Sequence, residues 1–122
     1  DLDVLKTELT SDRFNAVLIE LTGSDVFVDP NFHGGGLHQG GEGSFLDMHV
    51  DFNYHPEEPT WFRDLNILLY LNPNWKEEYG GELKLAHKDR PKELSEIQPI
   101  FNRAVIMQTR DYVCLKLDTL GI

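Results

Sequence analysis

The residues with the clearest potential for chemistry are His49 and Asp51, which flank a single valine in the stretch 45–52. If this stretch forms a strand, positions 49 and 51 project from the same face and both side chains can reach one ion. An imidazole and a carboxylate in this arrangement supply two corners of a 2-His-1-carboxylate site, which leaves positions on a divalent metal open for other ligands. The pattern therefore predicts a metal site with His49 and Asp51 as ligands.

The same tripeptide has a plainer interpretation. Random composition produces about half an instance of His-X-Asp in a chain of this make-up, so its occurrence decides nothing by itself. A histidine at the end of a strand, hydrogen-bonded to a neighbouring carboxylate, would leave the same pattern. The choice between these interpretations depends on the elements around the pair.

One amphipathic helix is predicted at the start of the chain, over residues 11–21. Its apolar residues, Phe14, Val17, Leu18 and Leu21, recur at helical spacing. Either Ser11 or Asp12 can serve as the N-cap, and Gly23 is the predicted stop.

The remainder of the chain is predicted to be β-structure. Short runs rich in β-branched and aromatic residues occur at 26–28, 45–52, 65–71, 82–85, 104–109 and 112–117. Glycine-rich loops at 34–36 and 40–43 and a turn at 72–74 separate them, and Gly80-Gly81 is predicted to make the tight turn before 82–85. The expected architecture is one mainly β domain spanning residues 1–122, with an N-terminal helix.

Several stretches together resemble a known family. The stretch 43–56, with its His49-Val50-Asp51, is followed in order by 63–72, Trp75, 79–83 and 101–106. This series resembles the metal-binding strand and later core strands of the prolyl 4-hydroxylase-like iron(II)- and 2-oxoglutarate-dependent oxygenases, over about residues 34–112. The resemblance implies a double-stranded β-helix of the jelly-roll or cupin-like type.

The resemblance also implies a chemistry for individual residues. His49 and Asp51 would bind iron(II), and Tyr70 would donate its hydroxyl to the distal carboxylate of the co-substrate 2-oxoglutarate, although a core aromatic would explain Tyr70 as well. The implied activity is hydroxylation of a C–H bond, with ascorbate as an additional reductant. Prolyl residues of a protein or peptide are the first substrate class, and a free amino acid or small metabolite is the second.

The family pattern is incomplete in this sequence. The resemblance implies a second histidine, followed by glycine, near Leu115–Lys116 and a basic 2-oxoglutarate anchor after it, whereas the last histidine in the chain is His87. A truncated or altered C-terminus after about residue 112 is the favoured explanation. A different third ligand, or loss of catalysis with retention as a scaffold or binding domain, are the alternatives. A missing final strand would leave an open sheet edge, which a homodimer could close.

Charge and cysteine content restrict the partners. The net charge of −10 opposes binding to nucleic acid and to anionic membrane surfaces, so neither is an expected partner. The single cysteine, Cys114, cannot form an internal disulfide, and the cytoplasm is the expected location. A cupin-type metal- or sugar-binding protein would share the architecture but predicts more histidine ligands.

Overall fold

The computed structural model describes residues 1–87 and 89–109, and the backbone of the strand at 112–118. It divides into two compact units, Asp1–His38 and Gln39–Ile122. Within the residues described, no helix is both long enough and apolar enough to cross a membrane.

The first unit is built from two helices, α1 (Leu2–Leu9) and α2 (Asp12–Thr22). The Ser11 hydroxyl accepts a hydrogen bond from the amide of Phe14, and Gly23 ends α2 in the left-handed conformation at φ 67°. The predicted helix is therefore confirmed within one residue at each end, with Ser11 as the N-cap. Helix α1 was not predicted, because an apolar pattern over only eight residues is a weak helix signal. Its N-cap is Asp1, whose side chain accepts a hydrogen bond from the Asp3 amide.

The described part of the second unit contains six antiparallel strands. They are β1 (Phe45–Leu46), β2 (Leu65–Leu69), β3 (Leu83–His87), β4 (Arg90–Ile97), β5 (Ala104–Gln108) and β6 (Tyr112–Asp118). Strands β1, β6, β3 and β4 form one sheet in that order, and β2 pairs with β5 in a second sheet. The chain thus crosses repeatedly from one sheet to the other, and β6 lies inside the larger sheet, between β1 and β3.

Two strand predictions need correction, and one strand was not predicted. Residues 26–28 form no strand, because a three-residue apolar run acquires strand structure only when another strand pairs with it. The strand predicted at 45–52 is regular only in β1, with His49 as a single bridge residue beyond it. Strand β4 was missed, since its sequence RPKELSEI has little apolar alternation. It is an exposed edge, and Pro91 and its charged residues suit such a position.

The core of the second unit draws on both sheets. Its members are buried or half-buried side chains of β2, β3, β4 and β5 and of the residue after β2: Leu68, Tyr70, Leu83, Leu85, Ile97, Val105 and Met107. The turn that leads into β3 depends on Gly80 and Gly81, at φ 65° and 86°, as predicted. The Trp75 indole donates to the Gly80 carbonyl at 2.8 Å, which fixes this turn.

Replacing Leu83 by alanine should test the core. This side chain is fully buried, so Leu83→Ala should lower the free energy of unfolding by about 2–5 kcal/mol through lost burial and a residual cavity. Leu94→Ala on the exposed edge strand is the matched control and should cost less than about 1 kcal/mol. Urea unfolding followed by tryptophan fluorescence reports on this unit, which contains Trp61 and Trp75. Equal losses in both variants would contradict this assignment of the core.

Candidate functional site

His49 is held in one orientation by its own backbone neighbourhood. Its Nδ1 lies 2.9 Å from the carbonyl oxygen of Asp47. A carbonyl only accepts hydrogen bonds, so Nδ1 must carry the proton, and the lone pair of neutral histidine is then on Nε2. Metal-binding histidines usually donate their other ring N–H in the same way, to a backbone carbonyl, a carboxylate or a water molecule.

Asp51 presents one carboxylate oxygen to His49. Asp51 Oδ1 lies 3.6 Å from His49 Nε2, and the two side chains are 19% and 37% exposed, respectively. Although β1 ends before either residue, the structure brings the two predicted ligands together. Both atoms could contact one divalent ion at ordinary bond lengths of about 2.0–2.2 Å, since their separation is less than twice that length.

The other oxygen of Asp51 is engaged by two residues near the start of β2. Asn66 Nδ2 donates to Asp51 Oδ2 at 2.6 Å, and the Arg63 guanidinium lies 3.4 Å from the same oxygen. Arg63 also donates to Asn66 Oδ1 at 2.6 Å. Because a guanidinium only donates and a carboxylate only accepts, the Asn66 amide has one consistent orientation between them. The three side chains form a closed set of polar contacts.

Arg63 is itself fixed from several sides. Its amide donates to the Asn53 carbonyl at 2.7 Å, and the buried Thr109 hydroxyl donates to the Arg63 carbonyl at 2.6 Å. Its guanidinium carbon lies 4.5 Å from the centre of the Phe52 ring, in cation–π contact. These bonds connect the chain beyond Asp51 to β2 and to the residue after β5.

Arg63 and Asn66 were not identified as site residues from the sequence, although the family resemblance includes both. A signal was present in β2, whose sequence is LNILL. A single amide in an otherwise apolar strand needs a hydrogen-bond partner when it is half-buried. Nothing in the sequence identified that partner as Asp51, which lies 15 residues away.

Tyr70 follows β2 by one residue and is half-buried against the core. Its backbone exchanges hydrogen bonds with the segment before β5, from Tyr70 N to Arg103 O at 2.9 Å and from Asn102 N to Tyr70 O at 2.8 Å. Asn66, Leu68 and Tyr70 occupy alternate positions and so share one face of the β2 segment. Tyr70 therefore lies on the face that also carries the Asn66 contact to Asp51.

No third metal ligand is found among the described side chains. Residues 1–87 and 89–109 contain no group of three histidine, cysteine, aspartate or glutamate side chains that could hold an ion. The Nδ1 of His55 accepts hydrogen bonds from the amides of Glu57 and Glu58, so His55 closes a turn. His87 Nδ1 accepts from the Asp89 amide at 3.2 Å in the β3–β4 connection.

Two further histidines precede the pair in the chain. His33 and His38 belong to the first unit, whereas His49 and Asp51 belong to the second. The side chains near Leu115–Lys116, where the second histidine was expected, and those after them, where the basic anchor was expected, lie outside the described residues.

Comparisons with known proteins agree with this architecture. The family model described as the 2OG-Fe(II) oxygenase superfamily matches residues 34–114. The structure is similar to a Pseudomonas putida prolyl-4-hydroxylase, with 20% identity and a TM-score of 0.51 over 66% of this chain and 41% of that one. It is also similar to a Phytophthora capsici prolyl 4-hydroxylase, with 29% identity and a TM-score of 0.51 over 69% of this chain and 26% of that one.

The chain therefore spans less than half the length of either of these structures. A sequence search of curated proteins finds no match. The family match and the structural likeness confirm the predicted fold, a mainly β double-stranded β-helix.

Thr109→Val should remove the hydrogen bond that holds the Arg63 carbonyl. Valine keeps the shape of this side chain, which is 7% exposed, but cannot donate to the Arg63 carbonyl. We expect a loss of about 1 kcal/mol in unfolding free energy, measured by urea titration with tryptophan fluorescence. Thr60→Val, at an exposed position, is the control and should change stability by less than about 0.5 kcal/mol. An unchanged stability in Thr109→Val would argue against this bond as an anchor.

Proposed function

This chain belongs to the 2OG-Fe(II) oxygenase superfamily, and from that premise we propose that it binds iron(II) through His49 and Asp51 and hydroxylates a C–H bond of its substrate. The observation that carries the proposal is the approach of His49 Nε2 to Asp51 Oδ1 at 3.6 Å. The remaining polar atoms of both side chains already have partners, so the two facing atoms are the ones left to bind an ion.

The donor set fits a metal of this class. One imidazole nitrogen and one carboxylate oxygen are two-thirds of the facial set typical of non-haem iron(II) oxygenases, in which the remaining positions receive co-substrate and dioxygen. Iron, when bound, supplies the centre at which dioxygen is activated and 2-oxoglutarate is oxidised to succinate and carbon dioxide. The protein supplies ligands, orientation and partial exclusion of water.

Each protein group has a separate task in this proposal. The Asp47 carbonyl keeps the proton of His49 on Nδ1, so that Nε2 remains available as a ligand. Asn66 and Arg63 hold the second oxygen of Asp51. Tyr70 binds the distal carboxylate of 2-oxoglutarate through its hydroxyl, and its place on the same face of the β2 segment as Asn66 supports this role.

The proposed substrate is a prolyl residue of a protein or peptide, with ascorbate as the additional reductant. Support comes from the two similar solved structures, both of which are prolyl 4-hydroxylases. A free amino acid or small metabolite is the second substrate class. A homodimer that closes a sheet edge also remains a prediction.

A second function is favoured by one observation. Residues 1–87 and 89–109 contain the two proposed ligands but no group of three side chains that could hold a metal ion. Two protein ligands hold a divalent ion more weakly than three and control its remaining positions less well. The alternative is therefore a double-stranded β-helix that serves as a scaffold or binding domain without turnover.

Succinate formation separates these two functions. Purified protein supplied with iron(II), 2-oxoglutarate, ascorbate and a proline-rich peptide should produce succinate, measured by mass spectrometry. His49→Ala and Asp51→Ala should each reduce the rate to background, because each removes one of two ligands. His38→Ala, an exposed histidine of the first unit, is the control and should retain the wild-type rate.

Two results would count against the proposal. A folded wild-type protein that forms no succinate under these conditions would favour the scaffold function. Succinate formation that survives His49→Ala would place the metal elsewhere.

Tyr70→Phe tests the co-substrate role. Removing a hydroxyl that donates to a carboxylate costs about 1.5–3 kcal/mol, so the KM for 2-oxoglutarate should rise about 10- to 100-fold. Tyr54→Phe, whose ring is largely exposed, should leave that KM unchanged. An unchanged KM in Tyr70→Phe, with normal circular dichroism, would identify Tyr70 as a core aromatic only.

A further inference from the structure

The two oxygens of Asp51 have different surroundings. Oδ2 accepts from the Asn66 amide at 2.6 Å and has the Arg63 guanidinium 3.4 Å away. Oδ1 faces His49 Nε2 instead. Oδ2 therefore contacts a polar support formed by Asn66 and Arg63, and Oδ1 faces the candidate metal position.

We propose that Asn66, itself oriented by Arg63, is a positioning residue that restricts Asp51 to binding metal through Oδ1 alone. This inference rests on the proposed metal site at His49 and Asp51. Carboxylates bind cations through one oxygen or through both. Oδ2 already accepts a hydrogen bond from Asn66 that is strengthened by the charge of the acceptor, and the Arg63 guanidinium 3.4 Å away would repel a cation that approached this oxygen. The support therefore keeps one more position on the metal open.

Asn66 suits this task better than a charged residue would. Its amide accepts from Arg63 with Oδ1 and donates to Asp51 with Nδ2, so it passes the orientation set by the guanidinium on to the carboxylate without adding charge. Arg63 cannot move freely, because Phe52 covers its guanidinium and its backbone is bonded to Asn53 and Thr109. The support is preorganised before any ion arrives.

The local backbone makes such a support necessary. Strand β1 is regular only over Phe45–Leu46, so the strand ladder does not continue regularly to Asp51. A carboxylate on an irregular segment can rotate unless side chains restrain it. In this site the restraint comes from β2, which is paired along its whole length with β5.

The test uses cobalt(II) alone as the probe, since its visible absorption reports both affinity and coordination without any turnover. Wild-type protein should bind one equivalent, and Asn66→Leu, which keeps the size of the side chain but removes both hydrogen bonds, should weaken binding about 10- to 100-fold. Its absorption bands should shift as Asp51 becomes free to bind through both oxygens. Asn66→Ser, which supplies a hydroxyl as the hydrogen-bond donor, should recover part of the affinity for cobalt(II).

The matched control is Asn72→Leu. The side-chain amide of Asn72 also donates a hydrogen bond, in this case to the Pro99 carbonyl at 3.1 Å. Within the described part of the chain, Asn72 makes no hydrogen bond to Asp51. This variant should lower the melting temperature as Asn66→Leu does, while cobalt affinity and spectrum stay at wild-type values. A purely structural role for Asn66 would make the two variants behave alike in the cobalt titration, and that result would overturn the inference.

A second measurement covers the case in which Asn66→Leu fails to fold. Infrared difference spectra of the wild type, taken with and without cobalt and compared with Asp51→Ala, distinguish one-oxygen from two-oxygen binding by the separation of the carboxylate stretching bands. Two-oxygen binding by Asp51 would overturn the inference. A wild type that binds no cobalt, or binds it equally well after His49→Ala, would refute the metal site itself, and that failure is visible without any Asn66 variant.

Discussion

The hydrogen bond between Asn66 and Asp51 is the contact on which the candidate site depends. His49 and Asp51 lie beyond the two residues of β1, where regular ladder pairing no longer fixes the direction of a side chain. The bond of 2.6 Å transfers that task to β2, a strand of the other sheet. Because this bond joins the segment after β1 to a strand of the other sheet, the direction of the Asp51 carboxylate depends on the packing that holds β2 in place.

That packing is provided by β2, β3 and β5. The five residues of β2 pair in register with those of β5, and Leu83, Leu85, Val105 and Met107 bury the apolar faces between the sheets. Thr109, immediately after β5, donates a hydrogen bond to the carbonyl of Arg63, two residues before β2. The hydrophobic core therefore fixes β2, β2 carries Asn66, and Asn66 holds Asp51, so that stability and site geometry are linked through one strand.

The sequence predicted those features that depend on local pattern. Helix α2 has periodic apolar residues, a Ser11 cap and a Gly23 stop, and it forms almost where expected. Strand β4 was missed, because an edge strand need not bury an apolar face, and residues 26–28 were wrongly assigned because a strand requires a partner that a short run cannot specify. Pairs such as Asn66 and Asp51 depend on tertiary approach, so their partnership could not be predicted.

The strand register relates the segment that carries His49 and Asp51 to β6. Strand β6 runs antiparallel to β1, with Phe45 opposite Asp118 and Leu46 opposite Leu117. As the chain advances from Leu46 towards Asp51, the neighbouring chain in an antiparallel pair runs back towards the start of β6. The same strand also pairs with β3, so its backbone is held on the other side. Beyond the two paired residues of β1, the segment that carries His49 and Asp51 therefore continues in the direction of the start of β6 rather than of its end.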